Sequence, residues 1–171
     1  MNASLAATLG RLLILSVPLG TLMILSLLSL LPYGTLGAYS FTPNLGYAGM
    51  VYWTLRRPDL LPPLSVFLAG IALDVMGSGP VGLWALAFLS GYAFLLWQRV
   101  LFVGRAALPS LLGAGLAILI GFSAGWGAAS WQAGLLVAPW PVAVHGLLTL
   151  VAFPLVGVPL SRIEARLPEP D

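Results

Sequence analysis

Seven arginines and no lysine supply the fixed positive charge of this 171-residue chain, and they occupy four places: Arg11, Arg56 with Arg57, Arg99 with Arg105, and Arg162 with Arg166. Between these places lie three stretches of roughly 40 to 55 residues whose only basic group is His145, and a membrane crossing takes about 20 apolar residues. Each stretch is therefore long enough to cross and return. With every arginine on one side, three hairpins give six helices with both termini cytoplasmic, in agreement with the positive-inside rule.

Composition narrows the class further, because 60% of the residues are hydrophobic and 7% charged, against roughly 25% charged in an ordinary soluble domain. The apolar residues come in long runs and not in alternation, which selects helices over a barrel. Seven dispersed arginines form no basic patch, so no nucleic-acid partner is expected. The absence of cysteine excludes disulfides and thiol chemistry. Met1 to Leu31 has an apolar core of about 20 residues, longer than the roughly 7 to 15 of a signal-peptide core, and lacks a convincing small-residue cleavage site. It reads as an uncleaved first span.

The expectation is an all-α integral membrane protein, a single transmembrane domain over 1–171 with helices near 9–31, 42–55, 60–76, 81–97, 106–126 and 138–158. Pro18 is expected to kink the first helix. Tyr33, Tyr39 and Phe41 mark the outer interface, and Tyr52 and Trp53 the inner one before Arg56 and Arg57. Helix 3 is short, about 21 to 26 Å against roughly 30 Å of hydrocarbon, so the turn Gly77-Ser78-Gly79-Pro80 should lie in a depression of the outer face. Pro80 suits the first turn of helix 4, with Ser78 as its cap. Gly113, Ala117, Gly121 and Gly125 recur every fourth residue of helix 5 and form a smooth ridge, for a neighbouring helix of the same chain or for a partner's transmembrane helix. Trp126, Trp131 and Trp140 mark the outer interface, with Gln132 in the connecting loop. Leu160, Ile163 and Leu167 oppose Arg162, Glu164 and Arg166, as in an interfacial helix over 160–167 lying on the cytoplasmic surface and stopped by Pro168.

Asp74 is the one carboxylate inside these apolar stretches, in Gly-Ile-Ala-Leu-Asp-Val-Met-Gly-Ser-Gly-Pro-Val-Gly from Gly70 to Gly82. An acid at mid-helix in lipid costs about 2.5 to 3.5 kcal/mol on the insertion scale, so it needs a partner. One reading pairs it with His145, at a similar depth of about 10 to 12 Å below the outer surface, in a polar cluster with Asn44 and Ser78. The other has its carboxylate accept backbone N–H bonds from the Gly77 to Gly79 turn and fasten helix 3 to helix 4. Gly121-Phe122-Ser123-Ala124-Gly125 matches the nucleophile-elbow string, but the serine sits inside an apolar helix whose glycines already have a packing role. With His145 it is the sole footing for an intramembrane protease. Metal-ligand spacing, phosphate loops, dinucleotide fingerprints and paired carboxylates are absent, so no metal or cofactor is expected. The four central arginines read as topology determinants and contacts to anionic headgroups.

The central region resembles the MreD family, the small multi-pass subunit of the bacterial rod-shape system. The likeness lies in Pro43, in Val-Tyr-Trp-Thr-Leu-Arg-Arg-Pro at 51–58, and in Phe-Leu-Ala-Gly-Ile-Ala-Leu-Asp at 67–74 followed by Gly79-Pro80-Val81-Gly82-Leu83. It covers residues 42–99; the flanking helices match in length, hydropathy and order. The resemblance implies a non-catalytic scaffold of the cell membrane that binds the single-span protein MreC and links cytoplasmic MreB to the RodA glycosyltransferase and its class B penicillin-binding protein. It also implies a bundle like the S components of energy-coupling-factor vitamin transporters, with an outward-facing groove. Gly70, Asp74, Gly79, Pro80 and Gly82 carry over as motif positions. The rival reading is a vitamin-binding transporter subunit using the same groove.

Overall fold

A computed structural model of the protein describes residues 16–31, 35–36, 39–40, 42–77, 80–98 and 107–168. Six helices run through them: α1 (Ser16–Leu28), α2 (Leu45–Arg56), α3 (Pro63–Met76), α4 (Leu83–Trp97), α5 (Ala107–Ala133) and α6 (Trp140–Glu164). Residues 9–15, Tyr33, Phe41, Ser78, Gly79, Arg99 and Arg105 lie outside the described residues. The connection from α1 to α2 contains two short antiparallel strands, β1 (Thr35–Leu36) and β2 (Tyr39–Ser40), with Thr35 opposite Ser40. Apart from this ladder of two residues per strand, the regular elements among the described residues are helical, as expected.

Helices α5 and α6, at 27 and 25 residues, extend about 40 and 38 Å and are apolar enough to cross a membrane. Their apolar windows are only 39% and 28% buried by the protein itself, where the core helix of a soluble protein would be mostly covered. Leu108, Leu119, Leu147 and Leu155 all stand exposed on these helices, as side chains facing lipid do. By contrast α2, α3 and α4, at 12, 14 and 15 residues, extend about 18 to 22 Å and are shorter than the hydrocarbon layer.

The core sits on α2. Every residue from Gly46 to Leu55 is buried, as a helix apolar on all sides requires. It is walled by α1, α4, α5 and α6. A helix start away from water must find acceptors for its orphan N–H groups within the protein. Here three side chains meet that need. Thr149 Oγ1 of α6 accepts from Asn44 N–H at 2.9 Å, Ser29 Oγ accepts from Leu45 and Gly46 N–H at 2.8 and 3.3 Å, and Asn44 Oδ1 accepts from Tyr47 N–H at 2.8 Å. Both hydroxyls donate their own hydrogens to carbonyls one turn back, Ser29 to Leu25 and Thr149 to His145, which leaves their lone pairs for α2. Beyond α2, a 3-10 turn at Pro58–Leu60 leads into α3, and Arg57 closes it by pairing with Asp59 at 3.2 Å and donating to the Pro168 carbonyl.

Several boundaries differ from the sequence expectation, each for a local reason. Pro43 precedes α2 instead of lying within it, because Asn44 is the N-cap. α4 starts at Leu83 with Gly82 as its N-cap, so Pro80 falls in the preceding turn, where its carbonyl accepts from Leu83 N–H. α5 runs on to Ala133 and carries Trp131 and Gln132, which were expected at its loop; Gly134, at φ +66°, ends it in the left-handed conformation. α6 passes through Pro154 and Pro159 to Glu164, so the separate interfacial helix is corrected to the last turns of α6. Phe153, Val156 and Leu160 pack into the core, Ile163 and Leu167 against it, and Tyr52 Oη donates to Glu164 Oε2 at 2.5 Å. Apolar side chains expected to meet lipid headgroups are taken up by the protein's own bundle.

Candidate functional site

The stretch from Gly70 to Gly82 is a crossing point of two helices. A Cβ at Gly70 would overlap Ala85 Cα and lie 2.7 Å from Ala85 N, so only glycine lets α3 meet the first turn of α4 backbone to backbone. Asp74 follows one turn later on the same face of α3. Its carboxylate, 1% exposed, accepts from Gly82 N–H at 2.8 Å, Trp84 N–H at 2.8 Å and Ala85 N–H at 3.3 Å. Gly82 holds φ +98°, which L side chains rarely adopt, and this turns its N–H toward the acid. A carboxylate set against a helix N-terminus meets both the unpaired donors and the positive end of the helix dipole. Asp74 therefore fastens α3 to α4, as the second sequence reading held, and among the described residues it does so through the start of α4; Ser78 and Gly79 of the expected turn lie outside them.

The paired reading is corrected. His145 Nε2 is joined to Thr42 Oγ1 at 3.1 Å, and Asn44 is committed to capping α2, while Ser78 lies outside the described residues. Among the described residues Asp74 bonds only to backbone N–H groups. Trp84 links the two regions: its N–H donates to Asp74, and its indole meets His145 and Phe122 edge to face, at 6.2 and 5.5 Å between centroids. Replacing His145 by leucine removes one ordinary hydrogen bond and should lower stability by about 1 kcal/mol, measured by thermal unfolding in detergent.

The small-residue ridge of α5 turns inward, onto α4 and α2. A Cβ at Gly121 would overlap Tyr47 Oη and lie 2.5 Å from the Ala87 carbonyl, and at Gly125 it would touch Ala87 and Leu83 at 3.4 and 3.5 Å. Tyr47 Oη donates to the Ala117 carbonyl at 2.6 Å across this seam, and Gly91 of α4 leaves the matching space on the other side. Gly113 and Ala117 are buried as well. The ridge is thus occupied within the chain, and not offered to a partner.

What the fold leaves open is a different face of α5. A groove of about 490 Å³ runs between α5 and α6, floored by Gly115, Ile118, Phe122, Gly146 and Leu150 and edged by the exposed Ser123, Ala143 and Leu147. A second cavity of about 130 Å³ lies beside it, bounded by Trp84, Phe122, Trp126 and His145. No hydrogen bond joins Ser123 to His145, whose ring is bonded to Thr42. Among the described residues no three acidic or histidine side chains group as metal ligands.

Sequence reasoning passed over Ser29, Thr149, Tyr47 and Trp84. Their signal was modest: isolated hydroxyls and one phenol within otherwise apolar helices, where each must find a partner. Comparison of the chain with protein-family models, with curated proteins and with solved structures finds no match.

Proposed function

We propose that the protein is a non-catalytic scaffold in the bacterial cell membrane, crossing it six times with both termini cytoplasmic, in a bundle like the S components of energy-coupling-factor transporters. Its work is lateral binding of a transmembrane helix. The observation that carries this reading is the α5/α6 groove, open, apolar and lined by Gly115 and Gly146, the profile into which another helix packs. Four buried polar side chains, Asp74, Asn44, Ser29 and Thr149, are engaged in holding helix starts, which suits a framework better than a reaction centre.

The resemblance of residues 42–99 to MreD supplies the partner: the transmembrane helix of MreC, and through it RodA with its class B penicillin-binding protein and, indirectly, MreB. The short α2, α3 and α4 would span by thinning the bilayer locally or by using their flanking turns. The vitamin-binding reading is less well supported: the α5/α6 groove, at about 490 Å³, is large enough for a ligand, but its polar side chains are only Ser123 and Trp126, and the Trp126 indole N–H is already bonded to the Val137 carbonyl.

Ala143 edges the groove and is exposed, so Ala143→Trp fills it without entering the core. Co-purification of tagged MreC is expected to fall at least tenfold while the unfolding temperature stays unchanged. Undiminished capture of MreC by this variant would remove the groove from the reading, and a stoichiometric vitamin in mass spectra of the purified wild type would favour the transporter instead.

A further inference from the structure

At the arginine-bearing end of the bundle a cavity of about 290 Å³ opens between α2, α5 and α6, lined by Tyr52, Arg56, Ser110, Phe153, Gly157 and Ser161. The two adjacent arginines of this region have different fates. Arg57 is paired with Asp59 and bonded to the Pro168 carbonyl. Arg56 is exposed, has no carboxylate within ion-pair distance among the described residues, and sets its guanidinium 5.9 Å from the centroid of the Tyr52 ring at the cavity rim. Glu164, which also faces Tyr52, is engaged by the phenol at 2.5 Å. Below this rim the walls turn apolar, with Leu55 and Phe153 on the inner side and exposed Leu111 and Val158 on the outer. Gly157 faces the edge of the Tyr52 ring, where an added Cβ would lie 3.7 Å from it, so the glycine leaves this wall of the cavity without a side chain.

A cation at the rim and an apolar trough beneath it match an amphiphile with a negative head. We propose that this cavity seats one anionic phospholipid of the adjoining leaflet, its phosphate on Arg56 and an acyl chain along Phe153 and Gly157. The site is separate from the α5/α6 groove and does not depend on which partner that groove takes.

The test is native mass spectrometry of the delipidated full chain, offered phosphatidylglycerol, phosphatidylcholine of the same acyl chains, or inorganic phosphate. Wild type is expected to retain phosphatidylglycerol about fivefold over phosphatidylcholine, the population change that one basic residue near an anionic surface supports. Arg56→Gln should erase that preference and Arg57→Gln should leave it. Gly157→Leu, which fills the trough and keeps the charge, should lower retention of both lipids. Equal retention of the two lipids by wild type, or loss of the preference in Arg57→Gln as complete as in Arg56→Gln, overturns the proposal. So does displacement of phosphatidylglycerol by an equal concentration of inorganic phosphate, since a phosphate site needs no trough.

Discussion

Asp74→Leu is expected to lower the stability of the purified protein by about 4 kcal/mol, because two full hydrogen bonds to a carboxylate, at roughly 2 kcal/mol each, are lost with Gly82 and Trp84. In thermal unfolding followed by tryptophan fluorescence this corresponds to a fall of roughly 10 °C. The loss is large because the freed N–H groups belong to a helix start held against α3 at Gly70, with water kept away from the 1% exposed acid. Asp74→Asn retains one acceptor oxygen and should fall between, at about 2 kcal/mol. Any loss of partner capture in Asp74→Leu should track this unfolding. A variant with wild-type stability that nonetheless failed to hold its partner would place Asp74 in a binding surface, against the geometry described above.

Gly121→Ala is expected to destabilise by about 3 kcal/mol, the upper end of the cost of overpacking. The added methyl would meet Tyr47 Oη and the Ala87 carbonyl together, and neither can retreat: the phenol is bonded to the Ala117 carbonyl and the carbonyl belongs to the backbone of α4. Gly125→Ala, whose methyl would meet the Ala87 and Leu83 side chains at 3.4 and 3.5 Å and the Leu83 carbonyl at 3.7 Å, all without overlap, should cost less than about 1 kcal/mol. Gly115→Ala, with its nearest neighbour 4.0 Å away in Leu150, should be close to neutral. Unfolding temperatures of the three variants measured side by side decide the matter. Equal effects along the helix would mean that the ridge is not seated on Tyr47 and α4 as described.

The contrast within that series shows how far periodicity reaches. Spacing by four identified Gly113, Ala117, Gly121 and Gly125 as a face that lets backbones approach, and that face is the α4/α5 seam. Spacing could not tell that Gly121 is crowded by a phenol from α2 while Gly125 has room, since Tyr47 is some 70 positions away along the chain. The same holds at the ends of α5 and α6. α5, expected to end near 126, runs on to Ala133 before Gly134 stops it, and the continuation of α6 through two prolines rests on the seat that Leu160 and Glu164 find against α2.

From residue order alone come the helical class, the apolar stretches bounded by arginine, and the requirement that Asp74 find partners, because each follows from the cost of charge and of bare backbone in an apolar medium. Which donors answer the acid, and which hydroxyls answer the start of α2, was decided by tertiary packing. A helix terminus states locally how many hydrogen bonds it lacks, but the side chain that supplies them can come from more than a hundred residues away, as Thr149 does for Asn44, and only the arrangement of the helices brings the two within 2.9 Å.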